Sequence, residues 1–349
     1  MRGLRGAVGL AVLTATAAGA GALPTGAAQS PAAPSPVETL KATGGLPAHM
    51  AGAFADAVGF SQTASGVYLV LDRRSHTVYA IDARKTAARK LLQVGLEPGR
   101  VLSPSVLALG DGNRFAVADA PAASERIQFF TVDGLQVGAF NLFSRHGARF
   151  WIGPVLVNGV GAMTYTGLTL VVSRPETGAL FTEYDMAGGV LRHVGTLRPT
   201  GQEADRELHL ALNAGLPLVD PDGGFYFVFQ TGRPLVRKYD ASGALVFERH
   251  IEGVELDAQI QSLPTTWPRR EADEGRLPLV LPLVRAAAVD PAGRLWISLM
   301  TPFTYVYDGR GDKVKTVQFD GAGVFSPDSL FFTKDGRILV TPGCYEFKR

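Results

Sequence analysis

Short apolar strands separated by turns recur along most of the chain. The clearest unit is Val289–Asp308, where Asp-Pro-Ala-Gly predicts a tight turn and Arg294–Ser298 alternates and is rich in β-forming residues. Five units contain a strand that ends on an aspartate, namely Thr77–Asp82, Phe129–Asp133, Phe181–Asp185, Val236–Asp240 and Thr304–Asp308. Successive aspartates are 51, 52, 55 and 68 residues apart. This spacing predicts a repeat protein.

The strands of each unit differ in polarity in a fixed order. A β-rich strand precedes each aspartate strand, and a sixth copy lies near the end: Val67–Asp72, Arg114–Asp119, Leu168–Ser173, Phe225–Phe229, Arg294–Ser298 and Arg337–Thr341. Before these lie apolar strands of small residues: Phe54–Phe60, Val106–Leu109, Val155–Met163, Leu208–Leu212, Val284–Val289 and Ser329–Phe332. More polar strands follow: Arg89–Val94, Gln136–Leu142, Leu191–Leu197, Leu245–Ile251 and Val314–Phe319. Four antiparallel strands of graded polarity predict an all-β, six-bladed β-propeller.

The two ends of the chain predict how the ring closes. The sixth unit stops at Arg349 after three strands, and Val37–Thr43 has the polar alternation of an outer strand. We expect this N-terminal strand to pair with Cys344–Lys348 and complete the last blade, which removes an unpaired edge. The predicted propeller domain therefore spans residues 37–349.

The repeat resembles the six-bladed propellers of the NHL-repeat and TolB-like kind. The matching pieces are VDPDGGFYFV, VDPAGRLWIS and TKDGRILVT, each followed by a strand with a terminal aspartate or its equivalent. The first three units lack the Asp-Pro-x-Gly turn. The resemblance implies the fold and no activity, because propellers include binding proteins and enzymes alike.

The N-terminus has the layout of a secretory signal peptide. Arg2 and Arg5 precede the apolar run Ala7–Leu23, and small residues follow. We expect cleavage after Ala28, with Ala22 as a second choice, and an uncleaved membrane anchor is the alternative. Residues 1–28 are thus a predicted signal peptide and residues 29–36 a disordered Pro/Ala/Ser linker. The mature protein is expected to be periplasmic or extracellular and to have no stable membrane span.

Composition limits the kinds of partner that the protein is expected to bind. We do not expect it to bind nucleic acid, because its formal net charge is only +2 and no basic run is interleaved with aromatic residues. The single cysteine, Cys344, excludes an internal disulfide, and we expect it to be buried in a strand. We also expect a monomer.

Three consecutive connections between units are long: Phe143–Pro154, Arg198–Glu207 and Glu252–Pro282. Because repeat units position their insertions, these segments are predicted to cluster on one face, where binding usually resides. The candidate ligand-binding residues are His146, Arg149, Trp151, Arg206, His209, Trp267, Arg269 and Arg285. The alternative is that the tryptophans hold their own loops to the body and the charges are solvated.

A metal site in the channel is a second hypothesis. The fragment VNGVGAM at Val157–Met163 is similar to the Asn-Gly segment of calcium-dependent lactonases of the gluconolactonase type. That resemblance implies oxygen ligands for Ca²⁺, for which the inner strands offer Asp56, Asn158, Asn213 and Asp328. The histidines have no metal-ligand spacing, and HExxH, GxSxG and GxxxxGK motifs are absent from the sequence.

The sequence therefore leaves three functions open. The first is an exported, non-catalytic propeller without a cofactor that binds a protein or a small molecule through its long loops. The alternative is a calcium-dependent hydrolase or lactonase-like enzyme. The third is a scaffold that uses the side of a blade within an envelope complex.

Overall fold

The computed structural model describes residues 36–110, 112–120, 125–142, 147–273 and 275–348. Within these ranges six groups of four strands repeat along the chain, and we number them sheets 1 to 6. From inner to outer edge, sheet 1 consists of Ala57–Gln62, Tyr68–Asp72, Thr77–Ile81 and Ala88–Lys90, and sheet 2 of Val106–Leu109, Arg114–Asp119, Glu125–Thr131 and Gln136–Leu142. In the same order, sheet 3 consists of Met163–Tyr165, Leu170–Ser173, Ala179–Tyr184 and Val190–Thr196, and sheet 4 of Gly215–Val219, Phe225–Phe229, Leu235–Tyr239 and Leu245–His250. Sheet 5 consists of Val284–Val289, Leu295–Leu299, Thr304–Tyr307 and Lys313–Gly321, and sheet 6 of Ser329–Phe332, Arg337–Thr341, Tyr345–Lys348 and Val37–Gly45.

A further sheet, which we call the insert sheet, comes from the long connections. Its strands, in order across the sheet, are Val155–Asn158, Arg149–Ile152, Gly275–Val280 and Arg269–Ala272. The described helices are Ala48–Ala51, Arg206–Leu212, Val254–Gln261 and the 3₁₀ turn Pro175–Thr177. The short strands Gln93–Val94 and Arg100–Val101 pair with each other, and Gly323–Phe325 pairs with Lys313–Gly321. None of the described helices is long and apolar enough to cross a membrane.

The middle strands of the sheets are apolar on both faces because each sheet packs between two others. In sheet 5, Leu295, Ile297 and Leu299 pack against sheet 4, whereas Trp296 packs against sheet 6. Equivalent clusters fill the gaps between sheets 1 and 2, 2 and 3, 3 and 4, and 6 and 1. The inner strands of sheets 1 to 6 contact one another in cyclic order. This arrangement surrounds a central channel.

The N-terminal strand closes the structure as predicted and makes one pairing that was not predicted. Ala42–Gly45 pairs antiparallel with Tyr345–Phe347, which confirms the expected clasp. Val37–Lys41 also pairs parallel with Thr316–Asp320 of sheet 5, so that sheets 5 and 6 become one continuous sheet. Cys344 lies just before the last strand and is buried, and burial raises the pKa of its thiol to about 12.

Most of the predicted aspartates at strand ends organise turns. Asp82, Asp185, Asp240 and Asp308 each follow a strand and accept hydrogen bonds from backbone N–H groups of the next turn. Asp133 does not, because in sheet 2 the side chain of Thr131 accepts the equivalent bond from Leu135 N. Asp82, Asp185, Asp240 and Asp308 therefore have a structural role in their turns.

Two inner strands were predicted wrongly, both next to long connections. Residues 208–212 form a helix instead of a strand, because Asp205 caps its first turn and the inner strand of sheet 4 starts only at Gly215. Leu208, Leu210 and Leu212 alternate with other residues as the apolar positions of a strand do, which explains the wrong prediction. Val155–Asn158 turns back at Gly153 to pair with Arg149–Ile152, so the inner strand of sheet 3 is Met163–Tyr165.

Candidate functional site

A chamber of about 720 Å³ extends along the central channel, and residues along the inner strands line it. These include the first residues of the strands, such as Ala57, Val106 and Ser329. The chamber therefore reaches the face where the long connections from the outer strands arrive, which we call the insert face. This is the face that the loop lengths predicted for binding.

The chamber is wide because the inner strands carry small residues there. Gly59, Ala108, Gly161 and Ala286–Ala288 all contribute to its wall. A Cβ atom built at Gly59 would be in ordinary van der Waals contact with Leu71 Cβ at 3.9 Å, so an added methyl group fits beside this backbone. Apolar pockets of several hundred Å³ with a few polar groups are typical of small-molecule sites.

Two arginine–aspartate pairs lie at the wall of the chamber. Arg73 contacts Asp56 at 2.9 Å, and Arg285 is paired with Asp328. The side chains of both pairs are one-third exposed or more, which limits the stability that the pairs contribute. Their charges cancel within each pair. The Nε of Arg285 is buried and makes no hydrogen bond to a described residue.

Asp72 holds the first of these pairs in place. Its carboxylate accepts hydrogen bonds from the N–H groups of Ala55 and Asp56 and from Ser75. Burial raises the pKa of Asp72, but these hydrogen bonds outweigh it and the pKa lies below its usual value. The end of a sheet 1 strand thus fixes the backbone from which Asp56 projects.

The three long connections come together over the insert face, which confirms the predicted clustering. Trp151 and Ile152 pair parallel with Leu279 and Val280, and this joins the first and third connections. The helix Arg206–Leu212 of the second connection packs against both strands. We call the described parts of these connections, with their sheet and helix, the insert. Its residues Ile152, Pro154, Val155 and Val157 form part of the chamber wall.

Arg198 fastens the insert to sheet 4, and its guanidinium pairs with no carboxylate among the described residues. Its guanidinium donates to the carbonyl oxygens of Leu212, Thr231 and Arg233 at 2.5 to 3.2 Å and lies 4.4 Å from the centre of the Phe229 ring. Burial, with a smaller effect of Arg237, lowers the pKa of Arg198 to about 10. The sequence prediction did not include this residue.

The predicted aromatic residues support the insert and do not line the chamber. Trp267 packs against a cluster that includes Phe150, Leu208 and Val280. The guanidinium of Arg270 lies 4.1 Å from the centre of the Trp151 ring. These contacts favour the interpretation that the tryptophans hold their own loops.

Most of the remaining described candidate residues lie within the insert. Arg269 pairs with Asp205 at 2.5 Å, and His209 Nδ1 lies 2.7 Å from Thr200 Oγ1. Arg149 lies in a strand of the insert sheet and Arg206 begins the insert helix. His146 lies outside the described residues, as do the predicted signal peptide and residues 29–35 of the predicted linker. Of the predicted ligand-binding residues, the structure places Arg285 at the chamber.

The four predicted metal ligands do not form one site. Asp56 and Asp328 line the chamber, but each is paired with an arginine. The side chain of Asn213 forms hydrogen bonds with backbone groups of Arg198 and His209. Asn158 was predicted on an inner strand but lies in the insert sheet. Among the described residues no group of three or more His, Cys, Asp or Glu side chains could hold a metal ion. The residues present do not fit a calcium site.

A buried carboxylate lies beneath the base of the insert. Glu125 is 8% exposed, and its Oε2 makes no hydrogen bond to a described residue. Its carboxyl group lies against the backbone of Gly147 and Gly159, where added Cβ atoms would come within 2.6 and 1.9 Å of it. Burial raises the pKa of Glu125 to about 7, although Arg174 opposes this shift. No motif lies near Glu125 in the sequence, so sequence patterns do not identify it.

Several solved structures have a similar fold. A catalytically inactive virginiamycin B lyase from Staphylococcus aureus with quinupristin has a TM-score of 0.50 at 11% identity over 84% of this chain and 93% of that chain. A Xanthomonas campestris gluconolactonase, XC5397, has a TM-score of 0.49 at 13% identity over 90% and 98%. A luciferin-regenerating enzyme has a TM-score of 0.48 at 12% identity over 85% and 92%.

These likenesses concern the fold alone. No protein-family model matches the chain, and no curated protein matches its sequence. The sheets, their packing and the likeness to the virginiamycin B lyase structure define the fold as a β-propeller.

Proposed function

We propose that the protein is an exported, six-bladed β-propeller that binds a small, largely apolar molecule in the chamber at the insert face. The observation that carries this proposal is the width of the channel there, which small residues on neighbouring inner strands create. Contacts of the inner strands in cyclic order support six blades, with the N-terminal strand in the last. Export rests on the leader-like N-terminal residues.

The chamber favours a neutral ligand. Its two ion pairs are internally balanced, so that a charged ligand would have to displace one partner. Much of the remaining wall consists of apolar residues, such as Ala286–Ala288.

The test uses Nile red, a neutral apolar dye, as the probe. Gly59→Phe adds a ring at the chamber wall beside Leu71 and should abolish fluorescence enhancement while the protein remains folded by circular dichroism. Gly59→Ala is the matched control and should bind the dye as the unaltered protein does. Equal dye binding by the Gly59→Phe variant would move the site out of the chamber.

The calcium-dependent hydrolase remains the alternative, and it has weaker support because the predicted ligands are dispersed or paired. Two carboxylates, Asp56 and Asp328, do line the same chamber. Thermal unfolding with calcium and with excess chelator separates the two functions, because a ligand that binds the folded state raises its stability by mass action. A calcium-dependent rise in melting temperature that Asp56→Asn and Asp328→Asn remove would favour the enzyme.

A further inference from the structure

A β-hairpin of the insert forms part of the chamber wall. Its strands Arg149–Ile152 and Val155–Asn158 pair antiparallel. The backbone N–H of Gly159 extends this pairing by donating to the carbonyl oxygen of Ala148 at 3.0 Å. We call residues 147–159 the insert hairpin.

Glu125 lies at the open end of the insert hairpin, where the chain enters and leaves it. Glu125 begins the third strand of sheet 2, and its carboxyl group lies against the backbone of Gly147 and Gly159. A Cβ atom at Gly159 would lie 1.9 Å from Glu125 Oε1, so a larger residue would collide with the carboxyl group. The backbone at the base of the hairpin therefore covers this carboxyl group and helps to keep it from water.

The charged groups around Glu125 are largely paired with one another. On the described elements around it, the titratable and charged side chains are Asp119 and Arg126 of sheet 2, Arg149 of the hairpin, Arg174 and Glu176 at the 3₁₀ turn, and Tyr184 of sheet 3. Arg174 pairs with Glu176 and donates to the Tyr184 hydroxyl at 3.3 Å, and Arg126 pairs with Asp119 at 2.7 Å. These two ion pairs have no net positive charge with which to hold an ionised Glu125.

Val157 connects the base of the hairpin to the chamber. It lies two residues before Gly159 and lines the chamber, as does Gly161 on the adjoining wall. A Cβ atom built at Gly161 would lie 3.3 Å from Val157 Cγ1, so the two residues are closely packed. A shift of the hairpin base would therefore move a side chain of the chamber wall.

We infer that protonated Glu125 holds the insert hairpin against sheet 2, and that ionisation of Glu125 loosens the hairpin and opens the chamber. Burial of a carboxylate that lacks full hydrogen bonding is unfavourable, and the backbone at Gly147 and Gly159 must move if the charge is to reach water. Burial raises the pKa of Glu125 to about 7, so the hairpin should be held at lower pH and loosened at higher pH. The control of ligand access rests on the proposed function, whereas the movement of the hairpin does not.

Hydrogen exchange of residues 147–159 at about pH 6 and about pH 8 tests the inference, after correction for the intrinsic pH dependence of exchange. If Glu125 regains its ordinary pKa of 4.5 in the open state, protection should fall by roughly tenfold between these two values. Glu125→Gln should remove this fall, and exposed Glu97→Gln, the matched control, should keep it. Equal protection of the hairpin at both pH values in the unaltered protein would overturn the inference.

Low concentrations of guanidinium chloride show whether the hairpin opens by itself. Local opening exposes little surface, so hairpin exchange should be insensitive to the denaturant, whereas exchange through global unfolding becomes faster. Hairpin amides that exchange only together with those of sheet 1 would contradict the inference, because Glu125 would then act on the whole fold.

The release of Nile red tests the effect on the chamber. Its dissociation from the unaltered protein should be faster at about pH 8 than at about pH 6, by up to roughly tenfold, and should not depend on pH in the Glu125→Gln variant. A rate independent of pH in the unaltered protein would overturn the control of access. If Nile red does not bind, the proposed function fails, and hydrogen exchange still decides whether Glu125 holds the hairpin. Glu125→Met replaces the glutamine variant if the latter does not fold.

Discussion

Sheet 5 and the insert are neighbours in the chain but are stabilised in different ways. In sheet 5, buried Asp290 accepts hydrogen bonds from Trp296 Nε1 and from the backbone of Ala292 and Arg294, and apolar clusters cover both faces. The insert has one apolar cluster and adds long polar side chains, among them Arg198 on carbonyl oxygens and Arg269 on Asp205.

This difference indicates that one part of the molecule provides stability and the other controls access to the chamber. In the ring formed by sheets 1 to 6, an apolar cluster joins each sheet to the next, so that the ring should unfold cooperatively. The insert forms part of the chamber wall, and its strand Arg269–Ala272 is largely exposed, which is typical of segments that open locally. We therefore expect changes in the ring to lower global stability and changes in the insert to alter access to the chamber.

The largest expected effect is on the ring. A chain that starts at Leu46 loses the strand Val37–Gly45, with the burial of Leu40 and pairing to both Thr316–Asp320 and Tyr345–Phe347. We expect a loss of about 5 kcal/mol or more, which corresponds to a fall in melting temperature of roughly 10 °C or more. A chain that starts at Ser35 is the control. Equal melting temperatures by circular dichroism would show that the clasp does not stabilise the ring.

The next effect lies where ring and insert meet, at Glu125. Because its pKa is raised to about 7 in the folded protein, the folded state retains a proton that the unfolded state has already lost. The contribution of Glu125 to the free energy of unfolding should therefore be largest below its ordinary pKa of 4.5 and should be lost as the pH rises through about 7. The loss above that pH is roughly 3 kcal/mol.

The Glu125→Gln variant tests this pH dependence. It should be more stable than the unaltered protein at a pH of about 8 and should lack this part of the pH profile in denaturant unfolding. Exposed Glu97→Gln is the control and should keep the profile. Parallel pH profiles for the Glu125→Gln variant and the unaltered protein would mean that Glu125 is ionised at no cost in the folded state.

The smallest global effect is expected from Arg198→Met, which removes the bonds to Leu212, Thr231 and Arg233. Hydrogen exchange should become faster in the helix Arg206–Leu212 and remain unchanged in sheets 1 and 2. Arg310→Met, at an exposed turn of sheet 5, is the control. Faster exchange throughout the ring would contradict the separation of insert and ring.

The sequence pattern predicts the ring far better than the site. Strands such as Val106–Leu109, Arg114–Asp119 and Phe225–Phe229 have their predicted bounds because local turn chemistry and strand alternation agree there. The insert departs from the repeat, and in it the leucines of Arg206–Leu212 suit a strand and a helix equally well.

The chamber could be predicted only in part. Asp56, Arg285 and Asp328 lie at or next to the starts of predicted inner strands. The small residues Ala286–Ala288 also indicate in the sequence that the channel is wide there. Arg73, Arg198 and Glu125 act through partners that are distant in sequence, and a single sequence does not show such convergence. The length of the loops indicated the correct face, but the residues that line the chamber come mainly from the strands beneath them.

The most direct test of the chamber as the binding site is a crystal structure of the protein with Nile red bound. We expect the dye against Ala286–Ala288 and Gly59, beneath Val155 and Val157 of the insert. Dye bound instead on the outer side of the insert, beside Trp151 and Arg270, with an empty chamber, would contradict the account.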